Sequence, residues 1–185
     1  MRITGGIAGG IRITTPPGEV RPAMDRMRES LFSILGPCGG ISFLDLFSGS
    51  GVVGLEALSR GARRVTFVEK ERRKRATMQN NLERVLAAVD YEPEVRIVTA
   101  PVERFVQRGK DAYDIIYLDP PFAYAHKNDL LAKLSRSALP EDGSLIILHY
   151  PKEETIIPGE FELVDEREYG RSHLLFLRDG AKNIE

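Results

Sequence analysis

Asp119-Pro120-Pro121-Phe122 sets a carboxylate, two rigid residues and an aromatic ring directly after the apolar run Tyr113 to Leu118, which reads YDIIYL. A run of that kind makes a strand buried on both faces of a parallel sheet. Asp119 then stands at the strand's carboxyl end, where open α/β sheets bind their ligands. The prolines fix backbone dihedrals and leave their carbonyls free to accept hydrogen bonds, so the segment suits a planar group that carries N–H donors. Alone, the same four residues also read as a strand-ending turn with Phe122 in the core. The rest of the chain has to decide.

A second constellation lies upstream. Ile41 to Leu46 reads as a buried strand, followed by Ser48-Gly49-Ser50-Gly51 and a helix from Val52 to Arg60. Gly49, Gly51 and Gly54 satisfy G-x-G-x-x-G, a pattern that brings backbone N–H groups at a helix N-terminus against a ligand. Val65 to Val68 forms the next strand and ends in Glu69, about twenty residues past the loop, where an acidic side chain can accept two ribose hydroxyls. Together these point to an adenosine-containing ligand. Asp45 narrows the choice, because a carboxylate just before the glycine loop repels a pyrophosphate and favours a ligand with an ammonium. S-adenosylmethionine fits better than NAD: its carboxylate suits the helix N-terminus, and its ammonium and sulfonium suit nearby anions. No Walker lysine follows the glycines, which counts against a nucleoside triphosphate.

These residues need a scaffold, and the pattern supplies one. Strands at Val95 to Val98 and Ser144 to Leu148 join the three above, with helices over Glu71 to Val89, Val102 to Gln107 and around Leu130, Leu131 and Leu134. Alternation of β and α through five strands implies a doubly wound parallel sheet. Phe161 to Glu168 and Ser172 to Leu177, around Tyr169-Gly170, give it an antiparallel finish. Before the sheet come a glycine-rich arm with β-prone pieces at Arg2 to Thr4 and Ile11 to Thr14, and an amphipathic helix from Met24 to Leu35 with Met24, Met27, Leu31, Ile34 and Leu35 on one face. Arg2 and Arg12 give the arm a weakly basic character suited to a phosphate backbone; a flexible arm without a partner is the alternative. The same choice holds for Arg21, Arg26 and Arg28 at the helix start, and for the basic opening Glu71-Arg72-Arg73-Lys74-Arg75, which opposes the macrodipole of its helix.

The 185 residues are 42% hydrophobic and 29% charged, enough for one α/β core with a small appendage. With 26 basic against 27 acidic side chains the net charge is -1, so a polyanion has to meet a local patch. Cys38 is the single cysteine, which excludes an internal disulfide and a thiolate zinc cage and suits a reducing cytoplasm. Neither a signal peptide nor a spanning apolar run is expected. His126, His149 and His173 are scattered without metal-ligand spacing, so packing or surface roles are the default and no metal is expected.

Asp45-Leu46-Phe47-Ser48-Gly49-Ser50-Gly51, Val68-Glu69-Lys70 and Asp119-Pro120-Pro121-Phe122, in this order and spacing, resemble the class I S-adenosylmethionine-dependent amino-methyltransferases. More narrowly, the glycine-rich arm, Thr15-Pro16-Pro17-Gly18, Arg21-Pro22, Asp25-Arg26, Arg28-Glu29 and the stretch Gly54 to Ala62 are similar to the RsmD family, which methylates the exocyclic N2 amino group of a guanine in 16S rRNA. The resemblance runs from Met1 through Tyr169-Gly170. It implies a Rossmann-like fold with a seven-stranded, mostly parallel sheet whose last strand is antiparallel, preceded by a small hairpin arm and helix. Residues 1–36 are then an RNA-contacting unit and 37–185 the cofactor-binding domain. It also implies a cytoplasmic monomer that acts on 16S rRNA within the 30S subunit or an assembly intermediate.

Carried onto this chain, the family's cofactor residues are Asp45, Phe47, Ser48, Gly49, Gly51, Glu69, Lys70, Val102 and Asp119. Its catalytic segment is Asp119 to Phe122, with Arg2, Arg12, Arg21, Arg26, Arg28 and Phe122 toward RNA. Asp119 and the Pro120 carbonyl would accept hydrogen bonds from the amine, whose lone pair is otherwise delocalised into the base, and Phe122 would stack on that base. Two positions depart from the family. Ala23-Met24 replaces its usual threonines, and Thr99-Ala100-Pro101-Val102 offers no acidic or amide side chain to the adenine amino group, leaving backbone to read it. The rival readings are a DNA adenine-N6 methyltransferase, which could use the same Asp-Pro-Pro-Phe, a non-catalytic ribosome assembly factor with a retained pocket, and an NAD-dependent oxidoreductase.

Overall fold

The computed structural model describes residues 1–15 and 22–180, with backbone alone at 22–24. Arg21 lies outside the described residues. Helix α1 (Pro22–Leu35) opens on a proline, whose missing N–H costs nothing at a first helical position. It closes on Gly36, at φ 71°, whose N–H donates to Phe32. Its buried face carries Met27, Leu31 and Phe32, whereas Ile34, expected inward, is 45% exposed. Phe32 takes the inward position because it stacks on Phe43 of the sheet.

The sheet is built from β1 (Ser42–Leu46), β2 (Arg64–Glu69), β3 (Glu94–Thr99), β4 (Tyr113–Leu118), β5 (Pro140–Pro151), β6 (Glu162–Tyr169) and β7 (Ser172–Arg178). Their spatial order is β3-β2-β1-β4-β5-β7-β6, with β7 antiparallel to both neighbours and the other pairs parallel. This is the seven-stranded arrangement the resemblance implied. The order reverses between β1 and β4, the point at which such sheets open a crevice for ligand. The fifth strand is longer than the apolar run Ser144 to Leu148 indicated, because β7 carries its pairing on through Tyr150 and Pro151 and Pro140 pairs with Tyr113 of β4 at its start. The helix expected over Glu71 to Val89 is instead a short 3₁₀ turn (Arg72–Lys74) followed by α3 (Arg75–Leu86).

Helices α2 (Val52–Ser59) and α3 join α1 on one face, around Phe43, Val65, Phe67 and Tyr117; α4 (Val102–Arg108) and α5 (Lys127–Ser135) cover the other, around Leu44, Leu46, Ile116 and Leu118. The N-terminal arm belongs to the first of these cores. It doubles back through an antiparallel bridge between Arg2 and Arg12 and buries Ile3, Ala8 and Ile13. A polar seam fixes it: the fully buried Glu56 accepts from Thr4 N (2.9 Å), Thr4 Oγ1 (2.6 Å) and Gly5 N (2.9 Å), and pairs with Arg28 and Arg60. Gly6 sits at φ 74° with a virtual Cβ 1.9 Å from the Ser59 carbonyl oxygen, so only glycine passes there.

Candidate active site

Parallel pairing of β2, β1 and β4 brings three carboxylates to one end of the sheet. Asp45 lies opposite Phe67 and Tyr117 in the ladder, Glu69 closes β2, and the Asp119 N–H donates to the Leu46 carbonyl at 3.2 Å, one residue beyond β4.

Asp45 is 1% exposed and accepts from Gly54 N at 3.0 Å, which ties the first turn of α2 to β1. Burial pushes its carboxyl up to about 8, and the Asp119 and Glu69 charges add to the effect while the Gly54 hydrogen bond opposes it. Gly54 is required for the same approach: a Cβ there would come within 2.3 Å of the Phe67 ring. Between Asp45 and α2 the chain turns sharply through left-handed residues, Phe47 at φ 63°, Gly49 at 54° and Gly51 at 79°. For Phe47 that conformation is strained, and its ring rests edge-on against Tyr124 at 5.3 Å. The Ser48 hydroxyl is engaged by backbone, donating to the Asp45 and Val68 carbonyls.

Glu69 shapes the loop from the other side. Its Oε2 accepts from Gly49 N at 3.0 Å and its Oε1 from Glu71 N at 2.9 Å, with Lys74 Nζ at 3.8 Å. A carboxylate has about four acceptor positions, and these two hydrogen bonds occupy one on each oxygen. Lys70 is exposed, whereas Val102 is 2% exposed at the start of α4, packed into the second core. After β3 the Ala100 N–H donates to the Glu69 carbonyl.

Asp119 differs from the other two carboxylates in being open, with 24% of its side chain exposed. Its Oδ1 lies 2.7 Å from His149 Nδ1 on β5, a contact that the scattered positions of the histidines did not suggest. The one sequence signal for it is a polar residue inside the apolar run Ile146 to Tyr150, two places beyond Ile147 and so on the same face of β5. Pro120 is buried, Pro121 exposed, and Phe122 37% exposed with its ring edge-on to His149 at 5.5 Å. The loop after Asp119 is pinned by a residue that sequence reasoning passed over: buried Lys127, whose Nζ donates to the Phe122 carbonyl (3.2 Å), the Tyr124 carbonyl (2.5 Å) and Glu154 (2.8 Å). Tyr124 in turn donates to Glu103 at 2.6 Å.

Arg2, Arg12 and Arg28 come together with Asp25 and Glu29 in an open groove of about 450 Å³ between the arm and α1. Arg2 and Arg12 are exposed, and so is Arg26. Arg28 is 2% exposed, paired with Asp25 and Glu56 and donating to the Arg2 carbonyl, so its charge holds the arm to α1. Among the described residues no helix is long and apolar enough to cross a membrane.

The family model described as Conserved hypothetical protein 95 matches residues 1–178. Ribosomal RNA small subunit methyltransferase D of Escherichia coli strain K12 is 31% identical over 185 residues, an alignment covering 97% of this chain and 90% of that protein. The chain belongs to the RsmD family. Two solved structures place this member in context. The yhhF protein of Escherichia coli, 30% identical, superposes with a TM-score of 0.84 over 98% of this chain and 99% of its own. SMU.776, described as a methyltransferase complexed with SAH, is 18% identical and shares the fold, with a TM-score of 0.67 over 86% of this chain and 50% of its own. This RsmD-family chain is accordingly a methyltransferase.

Proposed function

We propose that the chain transfers a methyl group from S-adenosylmethionine to the exocyclic N2 amino group of a guanine in 16S rRNA. The observation that carries this reading is the division of labour among three carboxylates. Asp45 and Glu69 are buried and tied to the glycine loop, while Asp119 stays open beside an exposed aromatic ring. The relatives named for small-subunit rRNA methylation supply the substrate class.

The donor set suits that cofactor. Asp45 carries a carboxyl that burial and its neighbours hold toward the protonated form, and a nearby ammonium or sulfonium reverses that balance. Glu69 offers one free acceptor position on each oxygen to ribose hydroxyls. A pyrophosphate in the same crevice would be repelled by the Glu69 and Asp119 carboxylates and would give Asp45 no cation to ionise it. When bound, S-adenosylmethionine supplies a methyl carbon made electrophilic by a sulfonium.

Asp119 then has two tasks. Its carboxylate accepts a hydrogen bond from the amine, which localises the nitrogen lone pair that would form the new N–C bond while the C–S pair returns to sulfur as a thioether, and it takes the proton once nitrogen has become cationic; the N–H pair stays on nitrogen. The chain turns from Pro121 to Tyr124, whose N–H donates to the Pro121 carbonyl at 2.7 Å, and Lys127 holds Phe122 and Tyr124 by their carbonyls, which leaves the exposed Phe122 ring for a base to stack on. Arg2, Arg12 and Arg26, exposed on the arm and α1, suit RNA phosphates. The test is transfer of labelled methyl from S-adenosylmethionine to unmethylated 30S particles, naked 16S RNA and duplex DNA in parallel. Labelling of 30S particles supports the reading; label confined to DNA replaces it with the adenine reading.

A further inference from the structure

The sequence Asp119-Pro120-Pro121 carries a consequence for its own carboxylate. An aspartate at a turn is commonly oriented by the backbone N–H two residues on. Here both following residues are prolines and neither has an N–H. The carboxylate therefore has to be held from another strand, and the residue in reach is His149 of β5, 2.7 Å away and only 5% exposed.

An ionised carboxylate only accepts, so the hydrogen in this contact sits on His149 Nδ1. Its Nε2 is buried without a hydrogen-bond partner among the described residues. A buried N–H left unpaired costs more than an unpaired lone pair, so the geometry favours the hydrogen on Nδ1, facing Asp119. The same ring supports the edge of Phe122. One side chain thus fixes both the carboxylate that faces the amine and the ring that faces the base.

We propose that His149 is a positioning residue for methyl transfer: its Nδ1–H holds Asp119 Oδ1 and stops the carboxylate from rotating, so that Oδ2 alone is presented to the target amine. This rests on the reading of Asp119 given above. Removing the hold lets Asp119 turn away from the amine and leaves cofactor binding to Asp45 and Glu69.

The experiment compares the wild type with His149→Leu, His149→Asn and Asp119→Ala in methyl transfer to 30S particles, with S-adenosylhomocysteine affinity measured by calorimetry. The amide N–H of asparagine can stand where Nδ1–H stands. His149→Leu should lower kcat about 100-fold, the scale of a misplaced catalytic group, with cofactor affinity little changed. His149→Asn should recover kcat to within about fivefold, the worth of one hydrogen bond. Independently of activity, nitrogen NMR of histidine-labelled protein should show an Nδ1–H signal that vanishes in His149→Asn and shifts in Asp119→Ala. Should His149→Leu not fold, His149→Asn and the NMR signal carry the test. His149→Leu with undiminished kcat, His149→Asn as defective as His149→Leu, or an imidazole protonated only on Nε2 each overturns the proposal. A fully active Asp119→Ala overturns instead the reading on which it rests.

Discussion

Replacing Asp45 by asparagine should remove a proton from the thermodynamics of cofactor binding. In the free protein burial, with Asp119 and Glu69 adding to it, raises this carboxyl to about 8. A cationic ligand needs it ionised. At pH 7, about one unit lower, the protonated form predominates roughly tenfold, so ionisation on binding costs about 1.4 kcal/mol and weakens affinity about tenfold relative to a fully ionised site. Between about pH 5.5 and 7, below the range in which the ligand's own α-amino group titrates, the association constant for S-adenosylmethionine should rise about tenfold per pH unit. Close to one proton should be released per ligand bound. Calorimetry in buffers of different ionisation enthalpy reads both quantities. Asp45→Asn, which keeps an acceptor for Gly54 N, should bind more weakly at every pH, with no slope and no proton release. Stability should move with the same carboxyl. Ionisation shifts from 3.8 in the unfolded chain to about 8 in the folded one. Across that window the unfolded chain holds fewer protons, so the ligand-free protein loses stability as pH rises from about 4 to about 8. Thermal melts of Asp45→Asn should lack that component. Wild-type affinity that is flat with pH and releases no proton would refute this electrostatic account of the crevice.

Three further outcomes follow from the geometry. Asp119→Ala should lower methyl transfer by about 10²- to 10⁴-fold, the range for a lost general base, while cofactor affinity by calorimetry stays near that of the wild type. Glu69→Ala should weaken cofactor binding by about 1.5 to 3 kcal/mol, the scale of hydrogen bonds to a charged group, and should also loosen the loop that Glu69 ties at Gly49 and Glu71; unchanged affinity would contradict the ribose assignment. Gly6→Ala should destabilise the fold by about 2 kcal/mol or more, because its Cβ would meet the Ser59 carbonyl at 1.9 Å from a left-handed backbone, and chemical denaturation measures it.

The parts of this protein legible from sequence are those whose signal is local. The continuous apolar runs of β1 and β4 and the glycines between β1 and α2 announce a parallel sheet with a ligand loop. Asp45, Glu69 and Asp119 each sit at or near the end of such a run, so adjacency of β2, β1 and β4 was enough to unite them. What stayed hidden depends on partners far along the chain. Glu56 reads as one acidic residue in a helix, yet it is fully buried because Thr4 and Gly5, some fifty residues earlier, supply its donors. Arg28 reads as a surface cation and is buried for the same reason. His149 lies 30 residues from Asp119, and only the register of β4 against β5 brings them together. The left-handed Phe47 has no marker in its residue type at all.

The central claim is tested most directly by identifying the methylated nucleoside. 30S particles lacking the modification are incubated with the protein and labelled S-adenosylmethionine, and their 16S rRNA is digested and resolved. The account predicts label in N2-methylguanosine, lost with Asp119→Ala. Label in any other nucleoside, or an unlabelled RNA from protein that binds the cofactor, would contradict it.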